Sequence, residues 1–215
     1  MISNYERQVD IARDLFLAFD QEKLIRKYGL QHDADYLYLP YIGQKYRICR
    51  KTGRIDEPET RGSSVYRECR VYTKVMAICD VLCGGNDELL PPLTGQYQPI
   101  GSFVTSGASP ETDAFSRKYA MAFNGKVPKL REACLSLGGE IQKELARADL
   151  TARFQVFPFL PVLLQFWDGD DEFPPKILLL WDKNTLRFLR FETTYYVQGD
   201  LLDAIQAALR PGREQ

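Results

Sequence analysis

The densest run of potential chemistry in the chain is Asp168-Gly169-Asp170-Asp171-Glu172, entered from Trp167 and left through Phe173-Pro174-Pro175. Hard cations such as calcium and magnesium take clusters of carboxylate oxygens. A carboxylate beside apolar surface serves instead as an acid or base when burial lifts its pKa. Asp168, Asp170 and Glu172 alternate along the run, and Phe173 with the two prolines restricts the backbone after Glu172, so its carboxylate is expected to turn toward a cleft. An EF-hand calcium loop counted from Asp168 needs glycine at its sixth place and glutamate at its twelfth. Those places hold Phe173 and Leu179, so that motif is absent, and a solvated turn accounts for the acidic residues more simply than a metal does. The candidate binding residues are Trp167, Asp168, Asp170 and Glu172. No residue is assigned a catalytic or metal-ligating role, and no cofactor is expected.

The other reactive side chains read as structural. Cys79 and Cys83 would share one side of a helix, as two soft ligands require, but they coincide with its apolar stripe, where cysteine packs as a small hydrophobe. His32, the single histidine, excludes a multi-histidine metal site and reads as a loop residue. Trp181 and Asp182 would lie about 20 Å from Trp167 if the two apolar runs form a hairpin, so they cannot share a small site with it, and Asp182 reads as a cap or turn residue for Lys183-Asn184-Thr185. The glycine pairs 84–85 and 138–139 lack a phosphate-loop or dinucleotide context and read as helix caps. Tyr36, Tyr38, Tyr41 and Tyr46 near Lys45, Arg47, Arg50 and Lys51 fit a half-buried sheet with a solvated edge rather than an RNA-stacking surface.

The elements that must position the acidic run are two almost continuously apolar segments, residues 161–167 and 176–181, predicted as central strands with both faces covered. The loop between them cannot pair as a strand at its prolines. Upstream, Val9, Ala12, Phe16 and Phe19 recur at helical spacing, and Asp20 can cap a second helix carrying Leu24 and Ile25. Residues 36–39 and 45–48 read as strands of a small meander, with a partner around Ile55 and a polar loop over 56–64. A helix is predicted over 65–83, capped by Ser63 or Ser64 and ended by Gly84-Gly85. After an irregular connection, Ser109-Pro110-Glu111 announces a helix stopping at Asn124-Gly125; a short helix over 127–137 and a final one within 193–209, weakened by Gly199, complete the pattern. The expected fold class is α+β: a mostly antiparallel sheet with central carboxy-terminal strands, packed by several helices, in a single domain over 1–215.

Composition narrows the setting. The hydrophobic fraction is 45% and the charged fraction 27%, values of a folded globular chain. Lys and Arg total 28 against 29 acidic residues, a balance that supplies no global field for nucleic acid or anionic lipid. The amino terminus lacks the unbroken apolar core of a secretory signal, and the longest apolar stretch, 154–167, is broken by Gln155, Pro158, Pro161 and Gln165 and is too short to span a bilayer. Five cysteines without paired spacing suit a reducing compartment, and the expected location is the cytoplasm.

The pattern FPFLPVLLQFW-DGDDEFPPKILLLWD, followed by Glu192 and the last helix, resembles the prokaryotic domain-of-unknown-function family 3786, as do LPPLTGQ and LSLGGE earlier in the chain. The resemblance implies an anaerobe-associated protein and no particular activity. Some members carry an added four-cysteine iron–sulfur module; the cysteines here, at 49, 69, 79, 83 and 134, lack that compact spacing. The resulting expectation is an accessory or ligand-binding domain of anaerobic metabolism. Its partner would be an unidentified protein or small molecule, an iron–sulfur protein among the candidates. The alternative is a small-molecule enzyme using the carboxylates of the 168–172 loop.

Overall fold

A computed structural model describes residues 4–84, 89–103, 112–143 and 147–210. They group into two compact units. The first takes the described residues up to Leu93, Phe157–Phe159 and Asn184–Val197; the second takes those of Thr94–Val156, Leu160–Lys183 and those from Gln198 onward.

In the first unit, α1 (Asn4–Ala18) buries Ala12 and Phe16. Helix α2 (Gln21–Tyr28) starts at Asp20, whose carboxylate accepts the Lys23 N–H, and stops at Gly29 with a φ of 60°. The predicted meander follows as β1 (Gln31–His32), β2 (Tyr36–Tyr41), β3 (Gln44–Cys49), β4 (Ile55–Pro58) and β5 (Tyr66–Glu68), antiparallel and in chain order. Between β2 and β3, Ile42 and Gly43 both take positive φ, 46° and 67°, as a type I′ turn demands. That conformation disfavours a β-branched residue, and burial of Ile42 offsets the cost. Alternation along β2 and β3 buries Leu37, Leu39, Tyr41, Tyr46 and Ile48, and leaves Tyr36, Tyr38 and Arg47 half-exposed. The Arg47 guanidinium lies 4.2 Å from the Tyr36 ring centre and 4.4 Å from that of Tyr66, so this face is already occupied by its own cation–π stack.

Several expectations fail in this unit, among them that of His32 as a loop residue, since it lies in β1. Residues 56–64 are not one polar loop: Asp56 and Glu57 are buried strand residues. Asp56 pairs with Arg47 and Arg54, both at 2.9 Å, and Glu57 pairs with Arg67 and Lys74, both at 3.1 Å. Nor does one helix run over 65–83. Residues 66–68 pair with β4 as β5, and α3 (Tyr72–Cys83) starts behind Val71, with neither Ser63 nor Ser64 as its cap. Gly84 ends α3 at a φ of −82°, not in the left-handed region. Its need for glycine is space, since a Cβ there would sit 2.5 Å from the Asp80 carbonyl oxygen; Gly85 lies outside the described residues.

The second unit holds the predicted apolar strands. Its antiparallel sheet has the order β6 (Tyr97–Pro99), β10 (Lys176–Asp182), β9 (Leu160–Trp167), β8 (Leu150–Phe157), β7 (Glu140–Ile141). The fold is thus α+β, with two sheets in place of the one expected. β9 is buried over its whole length up to Trp167, as its apolar run predicts. On β10, Ile177, Leu179 and Trp181 are buried while Leu178 and Leu180, on the opposite face, are only half-buried, so the expectation of two covered faces fails for this strand. β8 escaped the sequence reading because Thr151, Arg153 and Gln155 interrupt its apolar residues. Helix α4 (Thr112–Phe123) ends at Asn124-Gly125 with Gly125 at a φ of 69°, and α5 (Val127–Ser136) ends before Gly138 at 81°. The predicted serine–proline start of α4 lies outside the described residues. The last helix, α6 (Phe191–Ala208), gives its residues through Val197 to the first unit and the rest to the second. No helix among the described residues is long and apolar enough to cross a membrane.

Candidate functional site

The β9–β10 hairpin pairs Trp167 with Lys176, so the acidic loop begins where the ladder ends. The loop is then fastened from two sides by three hydrogen bonds. The Asp168 N–H donates to Asp149 Oδ2 at 2.7 Å, just ahead of β8. Asp168 Oδ1 in turn accepts the Gly125 N–H at 2.7 Å, and the Gly169 N–H donates to Asn124 Oδ1 at 2.8 Å. The turn that stops α4 therefore also clamps the loop, and Gly125 serves both purposes. Within the loop, Asp170 Oδ1 accepts the N–H groups of Glu172 at 2.9 Å and Phe173 at 2.7 Å, and the Asp170 N–H donates to the Phe173 carbonyl at 2.9 Å. This is an Asx turn. The N–H groups of Phe173 and Glu172 hold the Asp170 carboxyl below its ordinary 3.8, because they bond the charged form.

These fastenings frame a cleft of about 920 Å³ between the loop and α4, within the usual size of small-molecule sites. Trp167, Asp168, Asp170 and Phe173 line it from the hairpin side with Lys176, and Asp149 adds a further carboxylate. Helix α4 supplies Ser116, Arg117, Ala120 and Met121, whose spacing puts them along one side of a helix. Met121 and Phe173 are 57% and 67% exposed, large apolar side chains left open at the same cleft. The Lys176 ammonium lies 5.9 Å from the Trp167 ring centre.

Three of the four sequence candidates, Trp167, Asp168 and Asp170, thus converge on the cleft, and Glu172 does not. The expectation that proline restriction turns Glu172 inward is corrected by the Asx turn, which directs Phe173 into the cleft and leaves Glu172 exposed outside its lining. Arg117 and Met121 were missed. Their signal, a cation and a long apolar side chain four apart on the solvent side of α4, has no local feature separating it from an ordinary helix surface.

The remaining chemistry-bearing residues fall elsewhere. Asp182 is fully buried at the far end of β10; its carboxylate accepts the N–H groups of Thr94 (2.9 Å) and Gly95 (2.8 Å) and the Thr94 hydroxyl (3.1 Å). It anchors the chain before β6. His32 is exposed. All five cysteines are free. Cys79 and Cys83 are buried, which pushes both thiols up to about 12, and they lie along a smaller cleft of about 400 Å³ in the first unit with Ile11, Leu15 and Met76. Thiols held protonated in this way suit a core role. Among the described residues no group of three or more His, Cys, Asp or Glu side chains is placed to share a metal ion.

The family model of a domain of unknown function, DUF3786, matches residues 20–204. No curated protein matches the chain, and no solved structure does.

Proposed function

The chain belongs to the DUF3786 family, and from that footing we propose that it is a noncatalytic binding module whose ligand occupies the cleft between α4 and the 168–175 loop. The observation that carries this reading is the convergence of Trp167, Phe173 and Met121 on a cleft whose rim is braced by three inter-element hydrogen bonds. Rigid aromatic surface with a few oriented polar groups is what a binding site requires.

The enzyme alternative draws less support. Acid–base chemistry by two carboxylates needs environments that push their pKa values apart and keep one protonated near neutrality. Asp170 is displaced downward by the N–H groups it accepts and stays ionised, the opposite of a general acid. Both Asp168 and Asp170 are engaged by backbone N–H groups that shape the loop. A place in the anaerobic metabolism of prokaryotes, with an iron–sulfur protein as partner, is proposed on the motif resemblance alone.

A fragment screen followed by NMR tests the reading. The two indole N–H signals report separately, because Trp167 is half-exposed at the cleft and Trp181 is fully buried. Binding fragments are expected to shift the Trp167 signal and leave that of Trp181 in place. Fragments that bind only elsewhere, or a screen with no shift at Trp167, would refute the assignment.

A further inference from the structure

Resting on the proposal that this cleft is a binding site, we infer that its ligand is a small organic anion, a carboxylate or phosphate monoester on an apolar body, held by Arg117 and Lys176. The loop is acidic, so its sequence suggests a cationic ligand; the hydrogen bonds point the other way. Each carboxylate on the cleft already accepts at least one backbone N–H: Asp149 that of Asp168, Asp168 that of Gly125, and Asp170 those of Glu172 and Phe173. Backbone dipoles aimed at a carboxylate offset part of its field, and the bonds fix the direction of its lone pairs.

Arg117 and Lys176 are in the opposite state. Both line the cleft, and among the described residues neither has an acidic partner within ion-pair distance. Their guanidinium and ammonium donors are held on ordered elements, one on α4 and one at the first residue of β10. The Lys176 ammonium lies 5.9 Å from the Trp167 ring centre, a contact that orients the cation without satisfying its hydrogen bonds. A guanidinium and an ammonium together match the oxygens of a carboxylate or phosphate. In the same cleft, Met121, Phe173 and Trp167 offer apolar surface for the body of such a ligand. The three carboxylates also facing the cleft would repel an anion in proportion to its charge, so a single compact charged head held by Arg117 from α4 and Lys176 from β10 is accommodated and a polyanion is not.

The test is a titration of the full chain, followed at the Trp167 indole N–H signal, with benzoate, phenyl phosphate, benzyl alcohol and benzylammonium at matched ionic strength. Benzoate or phenyl phosphate is expected to bind, and the stronger of the two identifies the head group. Affinity should fall about tenfold or more in R117Q/K176Q, the loss expected for charge-assisted hydrogen bonds, and should decline with added salt. Both substitutions lie on exposed positions, so the variant is expected to fold, and its unchanged melting temperature controls for that. Benzyl alcohol or benzylammonium binding as well as the anions, or anion binding untouched in R117Q/K176Q, would overturn the anion assignment while leaving the cleft as the site. Silence of all four compounds at Trp167 would overturn both.

Discussion

Replacing Gly169 with alanine is the sharpest probe of the loop that carries the proposed site. A Cβ built on Gly169 would lie 2.8 Å from Pro175 Cδ, 2.9 Å from Asn124 Oδ1 and 3.0 Å from Pro175 N. A proline ring and a backbone nitrogen yield little, and Asn124 is the acceptor for the Gly169 N–H. Overpacking of this kind costs about 1–3 kcal/mol, and loss of the hydrogen bond adds about 1 kcal/mol. Against these stands a gain of roughly 0.4–1 kcal/mol from the less flexible unfolded chain. The net loss is therefore about 1–3.5 kcal/mol, and a 2 kcal/mol loss lowers Tm by roughly 4–8 °C in a chain of this length. Gly199→Ala is the matched control: its Cβ would meet only Phe115 Cζ, at an ordinary 3.4 Å, and in the middle of α6 the change should stabilise by up to about 1 kcal/mol. Thermal melting by far-UV circular dichroism gives the stabilities, and fluorescence gives the surroundings of Trp167. If Gly169→Ala melts within about 1 °C of the parent with the same emission, the loop is not packed on Pro175 and Asn124 as described, and the cleft loses its rigid rim.

Asp182→Ala should cost about 1–3 kcal/mol, because it removes a fully buried acceptor that three donors of Thr94 and Gly95 share; a loss under about 0.5 kcal/mol in urea titration would show that the anchor is dispensable. Thiol labelling of the native protein should modify Cys49 first. Burial pushes that thiol up, but hydrogen bonds from Thr52 and the backbone of Lys51 and Thr52, with the charge of Arg54, outweigh it and leave the thiol below its ordinary 9.0. Cys79, Cys83 and Cys134, all buried and pushed up to about 12, should wait for unfolding, so early labelling at any of them contradicts the core assignment. Acidification should loosen the 168–175 loop: the folded Asp170 pKa lies below its unfolded value, so its contribution is present above 3.8 and disappears as pH falls through the lowered folded value. Trp167 emission followed through that window in the parent and in Asp170→Asn should show a step only in the parent. Finally, the chain passes back and forth between the two units, so a single cooperative melting transition by two spectroscopic signals is expected; two resolved transitions would establish independent domains.

The sequence by itself determined the elements whose signals are local. Asp20 and Gly29 bracket α2 through bonds to residues three or four away, Gly125 and Gly138 close their helices through backbone freedom at one position, and the apolar run of β9 announces a strand buried on both faces. The same locality located the hairpin loop and three of its cleft-lining residues, since a run of acidic residues between apolar strands and prolines has no other place to go. What only tertiary structure decided is what each charge is for. Asp168 meets Gly125, Asp149 meets Asp168, and Asp182 meets Thr94 across long separations in the chain, and a carboxylate in a sequence carries no mark of the N–H it will accept. Asp56 and Glu57 looked like loop residues for that reason, although arginines on neighbouring strands make them buried ion pairs. The inward turn of Phe173, the outward turn of Glu172 and the arrival of Arg117 and Met121 at the same cleft likewise depend on how α4 packs beside the hairpin, a choice made by the sum of many core contacts and by no single local pattern.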